Sequence, residues 1–496
     1  MATLNASVPE IYARLHDCFG TDPRPSRREM LKATLAAAAG VLLSGGCARP
    51  RTKPTKRIVV VGAGFAGLAT AYELSAAGYD VDVLEARTRV GGRVLTMDDF
   101  VPNKHVEGGG EFIGSNHPTW VSYANRFDLP LLDVNDDRTD RPIVLGGRRL
   151  TREEGLELFK EMNAALALIT ADAARIANPF EPWTAADAAQ LDRRSLGEWI
   201  DALSASPLCK RALHITFAGD NGADSHAQSY LANLAMIKGG GLLKYWTETE
   251  AFRCASGNHA LAEKLAERIG GDHLRLGTAV RRIDLTRDPA VVTVASGETL
   301  SADEVVLAVP PSVWIDIEVD PPLPDALTVQ MGTAAKFLMA FDDPFWEKQR
   351  VSPELLGDGP ITWTWHQTEG QKGPGESLCA FSGGPASEVC RQWTPSDRVE
   401  NYVRELTPVY GSLRASLVKS RFMDWTSDSW TRAAYSCARP GEVTTAGPIL
   451  RNGLGRLHFA GEHACYAFAG FMEGALNSGA SLARKLAERD GVLAHD

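Results

Sequence analysis

Short apolar runs and helix-period stretches alternate along this chain. Residues 58–61 are apolar and β-branched, the pattern of a strand buried on both faces. Gly62, Gly64 and Gly67 follow at once, then an Ala-rich helical pattern from Ala66 to about Ala77, which Gly78 ends. Residues 80–84 alternate into a second strand that finishes at Glu85. From about Leu150 to Lys244 the period becomes helical, as in 153–176 and 195–203. An amphipathic helix is predicted over 259–269, a strand over 274–283 and a buried strand over 302–311 that ends in a Pro-Pro turn. Lys336 interrupts the apolar strand MGTAAKFLMAF, and a buried lysine is costly unless paired or hydrated. The run at 457–459 enters a loop, and a last helix is predicted from near Met472 to about Leu486.

The first of these patterns carries chemistry. G-x-G-x-x-G between a buried strand and a helix is a dinucleotide site: Gly62 for the tight turn, Gly64 for backbone approach to a pyrophosphate, Gly67 for close packing of helix on strand. The orphan N–H groups of the helix start attract the phosphates. Glu85, about 20 residues on, is placed to accept from the adenosine ribose hydroxyls. Arg87, Val90, Gly91, Gly92 and Arg93 then form R-x-x-V-G-G-R, a second glycine turn with an arginine for the same pyrophosphate. In these segments the chain resembles the flavin-containing amine oxidase family of monoamine, polyamine and L-amino acid oxidases, and it is that resemblance that selects FAD over NAD.

The resemblance implies an α/β fold: a Rossmann-like FAD-binding domain of the amine oxidase type with an interleaved α+β substrate-binding domain. The expected divisions are an export signal and linker over 1–55, FAD-binding parts at 56–115, 249–315 and 436–490, and substrate-domain parts at 116–248 and 316–435. It implies that Gly109 and Gly110 pass beside the flavin ring and that the Val280 backbone meets the adenine. Ala66, Ala86, Glu111, Trp430 and Gly461 are expected along the cofactor, with Glu462 hydrogen-bonded near its ribityl and pyrophosphate. The helix from Met472 would aim its N-terminus at the flavin N1–C2=O edge. Tyr435 of A-Y-S-C and Phe471 would wall the aromatic cage, and Lys336 would hold a water against flavin N5. Family members with covalent flavin carry a cysteine just before the cage tyrosine; here Ala434 stands there, so FAD is expected to be non-covalent.

The implied reaction is oxidation of the C–N bond of a primary amine or L-amino acid to an imine, with O2 reduced to H2O2. Catalysis is then mostly orientation and exclusion of water. L-Amino acid oxidases of the family hold the substrate carboxylate with an arginine shortly after the G-G segment. Phe112 stands there, which favours a simple amine, although Arg253 or an arginine of the helical insertion is an alternative clamp. A C–C oxidoreductase of the carotenoid desaturase or protoporphyrinogen oxidase kind shares the fold; Lys336, Tyr435 and the M-E-G-A segment argue against it.

Composition narrows this further. At 496 residues the chain has room for two sizeable cores, and its net charge of −10 argues against a nucleic-acid partner. The eight cysteines lack metal-ligand spacing, so neither a metal site nor a dense disulfide framework is expected. The segment from Ser26 to Lys32 (SRREMLK) resembles a twin-arginine export motif, followed by a small-residue apolar run too short to span a membrane. Cys47, after Ser44, Gly45 and Gly46, is in place for lipidation, the one membrane contact expected, beside an ordinary cleavable signal. The expected location is periplasmic or extracellular. Oligomeric state is not readable from the sequence, and a homodimer stays open.

Overall fold

The computed structural model of the chain describes residues 56–134, 141–411 and 413–493. The export and lipidation expectations for residues 1–55, Cys47 included, lie outside the described residues. In chain order, the elements that position the site are β1 (Arg57–Val61), α1 (Phe65–Ala76), β2 (Asp80–Leu84), α2 (Pro118–Arg126), α3 (Arg152–Ala174), α4 (Pro207–Asn221), α5 (Tyr230–Gly239), β3 (Leu274–Arg275), β4 (Val280–Asp284), β5 (Glu304–Leu307), β6 (Ala334–Phe341), β7 (Trp363–His366), β8 (Glu376–Gly383), β9 (Leu417–Met423), β10 (Leu457–Phe459) and α6 (Met472–Arg489).

A five-stranded sheet in the order β10-β5-β1-β2-β3 is parallel throughout. Its centre is β1, whose Ile58, Val59 and Val60 are fully buried, as expected of a strand covered on both faces. Three well-separated stretches of chain therefore build one sheet. Helix α6, from the end of the chain, lies along α1: a Cβ on Gly479 would fall 2.3 Å from the Ala66 carbonyl oxygen, so the crossing needs a glycine.

The second large sheet runs β9-β6-β8-β7, then Leu356–Gly357, Ile143–Leu145 and Arg148–Arg149. Its strand β6 is buried at every residue and is antiparallel to both neighbours. One core unites this sheet with the helical insertion, packing Met162 and Leu166 of α3, Phe217 of α4 and Leu231 of α5 against Leu338 and Trp365. A reciprocal capping box between Thr151 and Glu154 starts α3.

Three expectations are corrected. The strand expected over 274–283 is two strands: Gly277, at φ 65°, turns the chain, and the N–H groups of Gly277 and Thr278 donate to the Arg87 and Glu85 carbonyls. As a result β3 completes the parallel sheet while β4 joins a separate four-stranded sheet. The strand expected over 302–311 is confined to β5 and gives way to a 3₁₀ turn at Pro311–Asp316. Helix α2 lies beyond the boundary drawn at 116, yet it shares the core of α1: its Trp120 sits edge-on to Phe65 at 6.5 Å and its Tyr123 edge-on to Tyr72 at 6.1 Å.

Candidate active site

One end of the site is made by the glycine turn between β1 and α1. Gly62 takes φ 102°, and a Cβ on Gly67 would stand 1.9 Å from the Gly62 carbonyl oxygen, so the helix presses directly on the turn. Gly64, the N-cap of α1, makes no side-chain cap, and a Cβ there would meet nothing within 4 Å. The helix N-terminus thus opens into a cavity with its N–H groups available to an anion. The second glycine turn lies against the first: the Gly91 N–H donates to the Ala63 carbonyl at 2.8 Å, and a Cβ on Gly92 (φ 57°) would fall 3.2 Å from the Gly64 Cα. The Glu85 carboxylate accepts from the Ala63 N–H at 2.7 Å and the Arg87 N–H at 2.8 Å, bracing the turn while still lining the cavity. The Arg87 guanidinium is held by Asp428 and by Thr431 Oγ1.

The cavity continues past Arg93, which donates to the Ala434 carbonyl at 2.7 Å and to Glu462 at 3.0 Å. The Glu462 carboxylate also accepts from the Ser436 hydroxyl (2.6 Å) and the Gly470 N–H (2.8 Å). Burial works against its charge, but Arg93 and these donors outweigh it and hold the carboxyl below its ordinary range. Glu462 thus ties three loops together with its side chain where it lines the cavity.

At the far end stand Tyr435, Phe471 and Lys336. The phenol of Tyr435 donates to the Gly219 carbonyl at 3.3 Å, and Phe471 is the N-cap residue of α6, backed by the His117 ring at 5.4 Å. Nothing caps the first N–H groups of α6 from a side chain, and Phe471, Met472 and Ala475 line the cavity. Lys336 reaches from β6 to the Gly109 carbonyl at 2.7 Å, the Glu107 carbonyl at 3.2 Å and the Glu111 carboxylate at 2.7 Å. An ammonium has three N–H donors, so all are taken by protein and a water on Nζ has to displace one. Glu111 accepts as well from Arg253 (2.8 Å) and Trp365 (2.9 Å). Burial would raise its carboxyl, but the Lys336 and Arg253 charges prevail and lower it.

Of the cofactor and cage residues expected from the resemblance and the first glycine motif, all but Gly67 line this one cavity, with Ala66, Ala86, Gly110, Val280, Trp430 and Gly461 among them; Gly67 packs beneath it. Arg253 does not line it: its guanidinium donates from Nε to Glu111 and from Nη2 to the His366 carbonyl, leaves Nη1 buried without a partner, and lies over the Phe112 ring at 4.9 Å. Trp246 is a core residue bonded to Thr170, whereas Tyr245 beside it faces the cavity. Sequence reasoning missed Asp220 and Glu250, which line the cavity near Tyr435: after burial, their charges are among the influences that push its phenol well up. Asp220 sits in the last turn of α4 and Glu250 in a loop, and no local pattern marks either. The six described cysteines are buried thiols, and none lines the cavity.

Comparison with known proteins gives the same reading. A family model described as flavin containing amine oxidoreductase matches residues 65–487. Human flavin-containing amine oxidase B is 26% identical over 465 residues, spanning 88% of this chain and 87% of the relative. A Mycobacterium tuberculosis protein assigned as flavin-containing monoamine oxidase AofH is 30% identical over 452 residues, 87% of this chain and 97% of that one. Among solved structures, cyclohexylamine oxidase from Brevibacterium oxydans superposes with a TM-score of 0.79 at 25% identity, covering 88% of this chain and 100% of the other. A putrescine oxidase variant superposes with the same score, identity and coverage.

Proposed function

The chain belongs to the flavin-containing amine oxidoreductase family, and we propose that its substrate is a simple primary amine rather than an L-amino acid. The cofactor of the family is FAD, and the residues present fit it: an uncapped helix start at Gly64, a second glycine turn against it, and a long cavity ending between two aromatic walls. When bound there, FAD would supply the two-electron acceptor for oxidation of the substrate C–N bond, with O2 as the final acceptor. The absence of cysteine from the described cavity lining, with Ala434 before Tyr435, supports non-covalent attachment.

One observation carries the choice of substrate: the charge of the cavity near Tyr435. Asp220 and Glu250 line it there, Phe112 stands where a carboxylate-binding arginine is expected, and Arg253 is neutralised by Glu111 outside the lining. A carboxylate entering this end meets two like charges, and the Lys336 ammonium there already holds Glu111, whereas an ammonium meets two opposite charges. Tyr435 and Phe471 then orient the apolar body of the amine and exclude water from the reacting carbon.

The test is an H2O2-coupled assay of the purified protein against panels of simple amines and of L-amino acids. Peroxide with amines and not with amino acids is expected. Peroxide with L-amino acids would overturn the proposal and place a clamp elsewhere; silence on both would return attention to C–C oxidation.

A further inference from the structure

Asp220 and Glu250 come from separate stretches of chain but stand at one place in the cavity. Both are half-buried and line it, and both charges act on the same two phenols, Tyr435 and Tyr245. Asp220 follows Gly219, whose carbonyl accepts from the Tyr435 phenol at 3.3 Å; a Cβ on Gly219 would fall 3.2 Å from Trp363 Cζ2. Trp363 pairs directly with Phe381 across β7 and β8, and both line the cavity. Glu250 precedes Ala251, whose N–H donates to the Ile113 carbonyl at 3.1 Å, so it enters beside Phe112. Lys336 pairs with Phe381 from the neighbouring strand, but its ammonium is turned to Glu111 at 2.7 Å. The two acids are therefore set among the rings of Tyr245, Trp363, Phe381 and Tyr435.

These acids are not at the reacting nitrogen. The backbone around Tyr435 is held by Arg93 on the Ala434 carbonyl (2.7 Å) and by Glu462 on the Ser436 hydroxyl (2.6 Å), whereas Asp220 stands at the phenol tip. An amine is oxidised from its neutral form, because an ammonium has no lone pair to become the second bond of the imine. Carboxylates touching that nitrogen would keep it protonated. Acids a side chain's length away suit a second positive charge instead, and aromatic rings around them favour an alkylated ammonium over a bare one.

We propose that Asp220 and Glu250, with the rings around them, form a second subsite for an alkylated ammonium at the far end of the substrate, joined to the reacting primary amine by a short methylene chain. Oxidation then takes a hydride from the carbon that bears the primary amine and a proton from its nitrogen, leaving an imine. The two electrons and two protons appear in H2O2, and the far cation is unchanged. The inference rests on the amine reading above and adds the second charge to it.

The experiment measures kcat/KM for aminobutyl-trimethylammonium, for its neutral isostere with carbon in place of the quaternary nitrogen, and for the unmethylated diamine of the same chain. The quaternary cation is expected to exceed the isostere about 50-fold and to exceed the diamine as well. Asp220→Asn and Glu250→Gln are each expected to lower the ratio of cation to isostere about tenfold. Equal kcat/KM for cation and isostere would overturn the subsite and leave the amine reading standing. A preference for the unmethylated diamine, or a ratio unchanged in both variants, would overturn it equally. Turnover of L-amino acids in place of all three amines would remove the amine reading and the subsite with it. The isostere comparison is made on the parent enzyme, so it decides the matter even where a variant fails to accumulate.

Discussion

Lys336 is the residue whose surroundings say most about the oxygen reaction. Its ammonium is inside a strand buried at every position, and its three donors go to two backbone carbonyls and Glu111. What it offers the cavity is a fixed positive charge in a water-poor site, the arrangement that stabilises negative charge developing on O2. Lys336→Met is therefore expected to slow reoxidation of the reduced enzyme by O2 about 10²-fold. Anaerobic reduction by an amine should change little, both steps being followed by stopped-flow absorbance. Equal slowing of the two half-reactions would remove the assigned role. Lys336 was legible from sequence because a lysine among apolar neighbours is itself an anomaly, and Tyr435 and Phe471 because the segments around them resemble a known family. Asp220 and Glu250 were not. Their types are unremarkable in place, and only the folded cavity shows a pair of acids near a cage.

The β1–turn–α1 unit separates two kinds of glycine that look alike in sequence. At Gly67 an added Cβ meets backbone at 1.9 Å, so Gly67→Ala must lift α1 from the strand, at a cost of about 1–3 kcal/mol. At Gly64 the backbone is in an ordinary extended conformation, φ −73° and ψ 176°, and the added methyl meets only open cavity. Gly64→Ala should leave the fold within about 0.5 kcal/mol of the parent but occupy the space where a pyrophosphate approaches the helix N-terminus. Thermal midpoints with and without added FAD distinguish the two. Gly67→Ala should melt early even in excess FAD, whereas Gly64→Ala should gain nothing from FAD. An FAD-dependent rise in Gly64→Ala equal to that of the parent would show that the methyl does not obstruct the site. This unit was readable because every cue in it is local. The break at Gly277 was not, since a stretch of mixed apolar and polar residues reads the same whether one sheet or two receive it, and the turn is held by the distant Glu85 and Arg87 carbonyls.

At the scale of the molecule, the site is where separate parts of the chain are tied together. The parallel sheet takes strands from the first, middle and last parts of the chain, with the other large sheet threaded between them in sequence. The ties crossing from one to the other are polar and lie along the cavity: Lys336 of β6 to Gly109 and Glu111, Arg93 to Ala434, and Arg87 to Asp428 and Thr431. Neither part can unfold without stripping these groups of partners in a buried site, which penalises a half-folded intermediate. A ligand lying along the same cavity contacts both parts and stabilises only the state in which both are folded. At a free concentration a hundred times its Kd, FAD should contribute about 2.7 kcal/mol to that state. The holoenzyme is therefore expected to show one calorimetric transition that shifts upward as a whole with added FAD. Two transitions, with only one responding to FAD, would mean that the cofactor is held by the parallel sheet alone and that the polar ties across the cavity contribute little to joining the two parts.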